Sequence, residues 1–458
     1  GHFQEVWRLC EQQTQRLQVT PTLVTRVRQS LQASERDWPD ETRMAQVPGL
    51  SRSTLVRRLL NSLGEDVRVG LVTNTHQDMG NLLEWIMLAY GLPFIDSIAP
   101  VVWGVHNDNL LTSIPLFVLM GELLLRSGIA DRMYIALSAW LGRMPGGLLH
   151  TNIGACALFA ATSGSSVATA ATVGTVALPS LQRRGYSMRA SLGSLAAGGT
   201  LGILIPPSVN MIVYGSLTNT SIGKLFIAGI IPGLLLTLLF AVTVFIWGRM
   251  YPSHIPGADN APRPTVRDFL IAFGPIFLIG LVITVSIYAG IATPTEAAAV
   301  SALLTTVLAF AVGGLTLRGF SEALFATMRT MGYLGLLLSA GILFGFVLTY
   351  YRVPQEVSEL FLSYNLSPVM VLTMVIVFYV ILGMFLEPVS MTFITLPTIY
   401  PLMQAAGYDL IWFGIVYTIT MEIAVLTPPV GLNLYVIQGI SRGTIPIGDV
   451  IKGCLPFL

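Results

Sequence analysis

Two short stretches of the sequence place consecutive prolines inside apolar runs. Residues 200–215 read TLGILIPPSVNMIVYG, and residues 422–437 read EIAVLTPPVGLNLYVI. Each proline inside a helix removes an amide donor and clashes with the preceding turn, which costs about 3 kcal/mol or more. The backbone carbonyls freed at such a break are hard oxygen ligands, and these suit an alkali cation better than a transition metal. The two stretches therefore predict cation sites at two broken helices.

Each break is preceded by a segment that favours a helical hairpin. The first, FAATSGSSVATAATVGTVALPSLQRRGY (159–186), is rich in small and hydroxylated residues, and the second, FLEPVSMTFITLPTIYPLM (385–403), is interrupted by prolines. We predict hairpin one at about 148–181 and hairpin two at about 385–404. Irregular backbone at membrane depth is tolerated only where it is buried in protein or lines an aqueous cavity. Closely packed small-residue helices, in which Ser and Thr bond to their own helix, are the alternative interpretation.

The same order of features occurs in both halves of the chain. The double proline follows Ser166 after about 40 residues and Ser390 after about 38, and an Asn and a Tyr come shortly after the prolines in each half. A hairpin followed by a broken helix, repeated in this way, predicts a substrate and ion site where two repeats meet.

The composition predicts a membrane protein with many spans. Of 458 residues, 53% are hydrophobic and 11% are charged, and the mean hydropathy of +0.71 lies well above that of soluble proteins. The apolar runs near 225–248 and 268–290 are long enough to cross a bilayer as single helices. The net charge of +1 gives no indication of a nucleic-acid partner, and the three cysteines have no spacing typical of disulfides or metal sites.

Two acidic residues lie within apolar segments and are candidates for function. Glu387 and Glu422 predict a proton relay as the rival to alkali-cation coupling. The alternative for Glu387 is a structural role, in which its carboxylate caps the N-terminus of a half-helix. The TSGS run at 162–165 superficially resembles a serine nucleophile near His150, but no later histidine supplies a base. We therefore expect no enzymatic activity.

Five motifs, taken together, resemble the large membrane subunit of tripartite ATP-independent periplasmic (TRAP) transporters of the DctM type: SIPLFVLMGELLLRSGIADRM, SGSSVATAATVGTVALPSLQRRGY, GILIPPSVNMIVYG, GIATPTEAAAVSAL and LTPPVGLNLYVI. The resemblance covers residues 85–458 approximately. It implies an all-α polytopic membrane protein, an elevator-type secondary transporter with two inverted repeats that each contain a re-entrant hairpin and a broken helix. It also implies sodium-coupled uptake of a small organic anion, such as a C4-dicarboxylate, across the bacterial inner membrane. The implied partners are a small four-helix membrane subunit and a periplasmic substrate-binding protein, and Na+ is the implied coupling ion, with no other cofactor.

The resemblance also implies site residues. The first sodium site is expected at Ser163, Ser165, Gly202, Ile205 and Pro207. Its repeat-related counterpart is expected at Ala424, Thr427 and Pro429, with Glu387 and Ser390 from hairpin two. Substrate is expected between the hairpin tips, near Ser166, Thr172, Asn210 and Asn433.

Residues 1–82 differ in character from the membrane region at 83–458, since 18 of the 49 charged residues lie within 1–70. The stretch DETRMAQVPGLSRSTLVRRLLNSLGEDVR weakly resembles the first helix-turn-helix of AraC-type regulators, with Arg52, Arg57 and Arg58 on the recognition helix. A membrane-tethered transcription regulator is thus the alternative function, and an amphipathic segment without a DNA role is the alternative for the segment. Compared with the family, the chain is expected to lack complete first and last membrane helices, as in a gene fusion or a joined gene fragment.

Overall fold

The computed structural model describes residues 94–108, 110–252, 265–364, 366–441 and 445–458. The chain divides into two compact units, residues 1–100 and 101–458, and only 94–100 of the first unit are described. The segment 1–82, with the three arginines of the predicted helix-turn-helix, lies outside the described residues. Within the described ranges every regular element is a helix, which confirms the all-α prediction.

The helices of the first half begin with α1 and end with the long α8. Their bounds are α1 Phe94–His106, α2 Ser113–Arg126, α3 Ile129–Leu141, α4 Leu148–Ser163, α5 Ser166–Arg183, α6 Met188–Leu204, α7 Val209–Thr218 and α8 Ile222–Met250. Helices α4 and α5 are the two arms of hairpin one, close to its predicted range, and α6 and α7 are the two parts of the first broken helix.

The helices of the second half run from α9 to α17. Their bounds are α9 Val266–Tyr288, α10 Pro294–Leu308 with a π-helical end at Ala309–Gly313, α11 Leu317–Tyr350, α12 Val353–Ser363, α13 Pro368–Gly383, α14 Pro388–Ala405, α15 Leu410–Leu426, α16 Leu432–Ile440 and α17 Ile447–Cys454, followed by a 3₁₀ turn at Leu455–Phe457. The range predicted for hairpin two, 385–404, contains α14. Helix α13 precedes α14 across a short turn at 384–387, and we describe α13 and α14 as the two arms of this hairpin. The sequence presents α13 as an uninterrupted apolar run.

Short polar residues set the helix starts. The side chains of Ser165, Ser208 and Asp409 accept from backbone amides in the first turns of α5, α7 and α15. Such caps satisfy amides that have no partner within the helix. Glycine at positive φ ends α4 at Gly164, where φ is +65°.

Within the described residues, five helices are long and apolar enough to cross a membrane, or six if the pair α2 and α3, bent by 66°, counts as one span. In the broken helix Met188–Thr218, 89% of the most apolar window is buried inside the protein, against 28% for Ile222–Met250 and 17% for Leu317–Tyr350. The first broken helix is therefore core, whereas α8 and α11 present apolar side chains outward, as lipid-facing helices do.

The two halves interlock crosswise. Helix α5 of hairpin one packs against α16, the short part of the second broken helix, and α14 of hairpin two packs against α7, the short part of the first. The long parts, α6 and α15, also pack against each other. Each hairpin thus supports the broken helix of the other half as well as its own.

Candidate cation and substrate site

The tip of hairpin one docks onto the first helix break. Helix α6 ends at Leu204, and a cis peptide bond joins Pro206 to Pro207. The Val209 amide, just beyond the prolines, donates to the Gly164 carbonyl at 3.1 Å. A Cβ on Gly164 would lie 2.8 Å from the Pro207 carbonyl oxygen. Glycine is therefore required twice at this position, for its positive φ and for the close approach of the two backbones.

A cluster of neutral oxygens lies beside this contact. The Ser163 and Thr169 hydroxyl oxygens are 2.7 Å apart, and the Thr169 hydroxyl donates to the Ser165 carbonyl at 2.8 Å. Because Thr169 has one hydroxyl proton, Ser163 is the donor in the first bond. The arrangement leaves oxygen lone pairs, and no hydroxyl proton, for a further ligand.

The backbone of Gly202 completes the cluster from the side of α6. A Cβ on Gly202 would lie 2.5 Å from the Ser165 carbonyl oxygen and 2.6 Å from the Thr169 hydroxyl oxygen. The structure thus brings together Ser163, Ser165, Gly202 and Pro207, four of the five residues predicted for the first cation site. The fifth, Ile205, is the C-cap of α6 in extended conformation, immediately before the prolines.

Sequence reasoning missed Thr169. It lies four residues after Ser165, one turn into α5, and it is fully buried. The spacing places its hydroxyl over the Ser165 carbonyl, a signal that the SSVAT run does contain. The sequence alone does not distinguish this threonine from one that only bonds back to its own helix, which is common in membrane helices.

At the second helix break, too, a backbone amide beyond the prolines bonds to a carbonyl at a hairpin tip, but the neighbouring residues differ. The Gly431 amide, two residues after Pro429, donates to the Met384 carbonyl at the tip of hairpin two at 3.2 Å. Ala424 lies against Gly383, and the Thr427 hydroxyl donates to the Ile423 carbonyl at 2.6 Å. Pro429 is exposed, whereas Pro207 at the first break is buried. The second break is therefore the more open of the two.

Glu387 acts as a helix cap in this structure. Its carboxylate accepts from the Ser390 amide at 2.9 Å and from the Ser390 hydroxyl at 3.0 Å, at the N-terminus of α14. This confirms the capping interpretation for Glu387. Both residues follow the turn whose Met384 carbonyl contacts the second break, and their side chains bond to each other.

The four residues predicted to contact substrate are all buried: Ser166, Thr172, Asn210 and Asn433. The two asparagines occupy the second position of the half-helices α7 and α16. They lie in different interfaces, because Asn210 accepts from the Thr392 hydroxyl of α14 at 3.0 Å, and Asn433 donates to the Ala196 carbonyl of α6 at 3.3 Å.

Each asparagine retains one buried polar atom without a hydrogen-bond partner in the described part of the chain. These atoms are the side-chain nitrogen of Asn210 and the side-chain oxygen of Asn433. Thr392, which bonds to Asn210, is itself held by the Tyr417 hydroxyl at 2.7 Å. Asn210 is therefore fixed in place with a free donor at the start of a half-helix.

The family model for the tripartite ATP-independent periplasmic transporter, DctM component, matches residues 79–458. The chain is 36% identical to a C4-dicarboxylate TRAP transporter large permease protein of Pseudomonas aeruginosa, over 81% of this chain and 86% of that protein. It is 34% identical to a sialic acid TRAP transporter large permease protein of Vibrio cholerae, over 78% and 82%, and 30% identical to an ectoine TRAP transporter large permease protein of Halomonas elongata, over 89% and 92%.

Among solved structures, the YdaH transporter of Alcanivorax borkumensis has a similar fold. The TM-score is 0.57 at 17% sequence identity, over 80% of this chain and 84% of that one. The chain belongs to the DctM component family of TRAP transporters, and it is a multi-pass membrane subunit of a transporter rather than an enzyme.

Proposed function

We propose that the chain is the large permease subunit of a TRAP system, that it couples uptake of a small organic anion to sodium, and that the first helix break binds Na+. The observation that carries the coupling ion is the oxygen cluster of Ser163, Thr169 and Ser165 against Gly202. All of its ligands are neutral hydroxyl or carbonyl oxygens. A hard, singly charged cation matches such a set, whereas transition metals favour imidazole or thiolate ligands.

The position of Asn210 favours a substrate that carries a negative charge. Its unpaired side-chain nitrogen lies in the first turn of α7, where the helix dipole places partial positive charge. A carboxylate oxygen can accept from this nitrogen. The relatives named for C4-dicarboxylates and sialic acid have carboxylate substrates, which fits this chemistry.

The remaining parts of the proposal follow from family membership. The chain works in the bacterial inner membrane with a small four-helix membrane subunit and a periplasmic substrate-binding protein. Its two hairpins and two broken helices form the mobile domain of an elevator, with inverted repeats. The crosswise packing of α5 on α16 and of α14 on α7 supports their movement as one body.

The thermal stability of the full chain in detergent tests the sodium site. A ligand that binds only the folded protein stabilises it by about 2.7 kcal/mol at a concentration of 100 Kd. We expect a higher melting temperature in NaCl than in KCl or choline chloride at equal ionic strength, and a smaller difference for Ser163→Ala. Ser191→Ala is the matched control, because Ser191 is equally buried but bonds to Ser187 at the start of α6. An equal response to the three salts in a monodisperse, cooperatively melting sample would contradict the proposal.

Glu387→Gln separates sodium coupling from the rival proton coupling. Because Gln keeps an acceptor oxygen at the start of α14 but loses the negative charge, we expect the substitution to cost about 0.3–1 kcal/mol of stability while sodium-dependent uptake persists. Uptake is measured in proteoliposomes with the two partner proteins and a sodium gradient. If Glu387→Gln abolishes uptake while Ser163→Ala leaves it intact, proton coupling through Glu387 replaces the sodium proposal.

A further inference from the structure

Glu422 is a buried carboxyl group that the cation and substrate sites do not use. It lies in α15 with 2% of its surface exposed, and both carboxyl oxygens lack a hydrogen-bond partner within the described residues. The other buried unpaired side-chain atoms of the described chain are hydroxyl, amide or indole atoms. Among these unpaired side chains of the described residues, only the Glu422 carboxyl group can carry a full negative charge.

Glu422 lies on the face of α15 that packs into the core of the first half. Glu422 shares one face of α15 with Ile415, Ile419 and Leu426, at spacings of three and four residues, and these three pack into the core formed mainly by helices of the first half. Ala424, which was predicted for the second sodium site, points to another face and contacts Gly383 of α13. Glu422 thus lies on the side of α15 where the two halves of the protein meet.

The helices packed against α15 are α6, α7, α8, α13, α14 and α16. Their basic residues are all exposed: Arg189, Lys224 and Arg249. Their tyrosines, together with one tyrosine of α15 itself, are Tyr214, Tyr379, Tyr400, Tyr417 and Tyr435, and the carboxylate of Glu387 caps α14. None of these groups is a hydrogen-bond or ion-pair partner of Glu422 in the described structure.

Three of these tyrosines are held by other groups. The Tyr214 hydroxyl donates to the Leu410 carbonyl at 2.6 Å, the Tyr379 hydroxyl accepts from Thr395 at 3.0 Å, and the Tyr417 hydroxyl is 2.7 Å from that of Thr392. Within the described residues, no donor bonds to either carboxyl oxygen of Glu422. An ionised carboxylate buried without a partner is strongly unfavourable, so the group must be neutralised where it stands.

We propose that Glu422 binds one monovalent cation, H+ or Na+, at a site between the two halves that is separate from both helix breaks. The proposal deepens the transport function, since a cation held there lies against α15 and the first-half core at once. It does not depend on sodium binding at Ser163. Either ion would neutralise the single carboxylate, a proton by forming an O–H bond and a sodium ion by coordination to the carboxylate oxygens.

Infrared difference spectroscopy on the purified full chain tests this site directly. A bound proton predicts a carbonyl stretching band of a protonated carboxylic acid that is present in choline chloride and in NaCl and is missing in Glu422→Gln. A bound sodium ion predicts a protonated band in choline chloride that NaCl converts to a carboxylate band, again missing in the variant. Glu322→Gln, which removes an exposed carboxylate on α11, is the control and should leave these bands unchanged.

An ionised Glu422 band that is identical in choline chloride and NaCl would overturn the proposal. Glu422→Met, an apolar residue of similar volume, serves as a second assignment variant if Glu422→Gln does not fold. Failure of the proposed sodium site at the first break is seen in a different measurement. In that case the melting temperature does not depend on the salt, and Ser163→Ala does not alter the response. The two proposals can therefore fail independently.

Discussion

Replacing Gly202 with alanine is expected to abolish both sodium-dependent uptake and the sodium-dependent rise in melting temperature. The added methyl group would lie 2.5 Å from the Ser165 carbonyl oxygen and 2.6 Å from the Thr169 hydroxyl oxygen. The first of these is a backbone atom at the tip of hairpin one, so it can move only if the tip leaves the helix break. The oxygens proposed to bind Na+ would then separate.

Gly198→Ala is the matched control for this substitution. Gly198 lies one turn earlier on the same helix, and a Cβ there would meet the Cys156 side chain at 3.0 Å, which can adjust by small movements. Uptake in proteoliposomes and melting in NaCl against choline chloride are measured for both variants. Equal losses in the two variants would indicate a general packing defect of α6, and full activity of Gly202→Ala would exclude the first break as the sodium site.

The geometry at the first helix break follows from local features of the sequence. Double prolines cannot continue a helix, and the SGSS run contains both the glycine that turns the chain and the serine that caps α5. The bond from the Val209 amide to the Gly164 carbonyl joins these two local features.

The parts that the sequence did not predict depend on distant contacts. Helix α13 reads as an ordinary apolar span, and its role as the first arm of hairpin two arises from the tight turn near Met384, whose carbonyl is bonded to Gly431. Likewise, the placement of Asn210 against Thr392 and of Asn433 against Ala196 follows from crosswise packing between halves, which no local pattern encodes. Glu422 was recognised as an intramembrane acid, but only the packing shows that nothing pairs with it.

Replacing Gly193 with alanine is expected to destabilise the whole membrane region. Gly193 and Gly453 bring the backbones of α6 and α17 into direct contact, so that a Cβ on Gly193 would overlap the Gly453 carbonyl group and a Cβ on Gly453 would overlap the Arg189 carbonyl. Both obstacles are backbone atoms, and overpacking of this kind typically costs about 1–3 kcal/mol. We expect a lower melting temperature and faster proteolysis of the purified chain, because α17 can no longer seat on α6.

Gly448→Ala provides the comparison within α17, since a Cβ at that position meets no atom within 4 Å. Its melting temperature is expected to be close to that of the unaltered protein, whereas an equal fall in melting temperature for both variants would place the defect in α17 itself rather than in its contact with α6.

Gly193 lies more than two turns before Gly202 on the same helix. The fraction of Gly193→Ala that remains folded should therefore still show a higher melting temperature in NaCl. Gly202→Ala should remain folded but lose that sodium response. This contrast distinguishes a helix contact that maintains the fold from one that holds the ion.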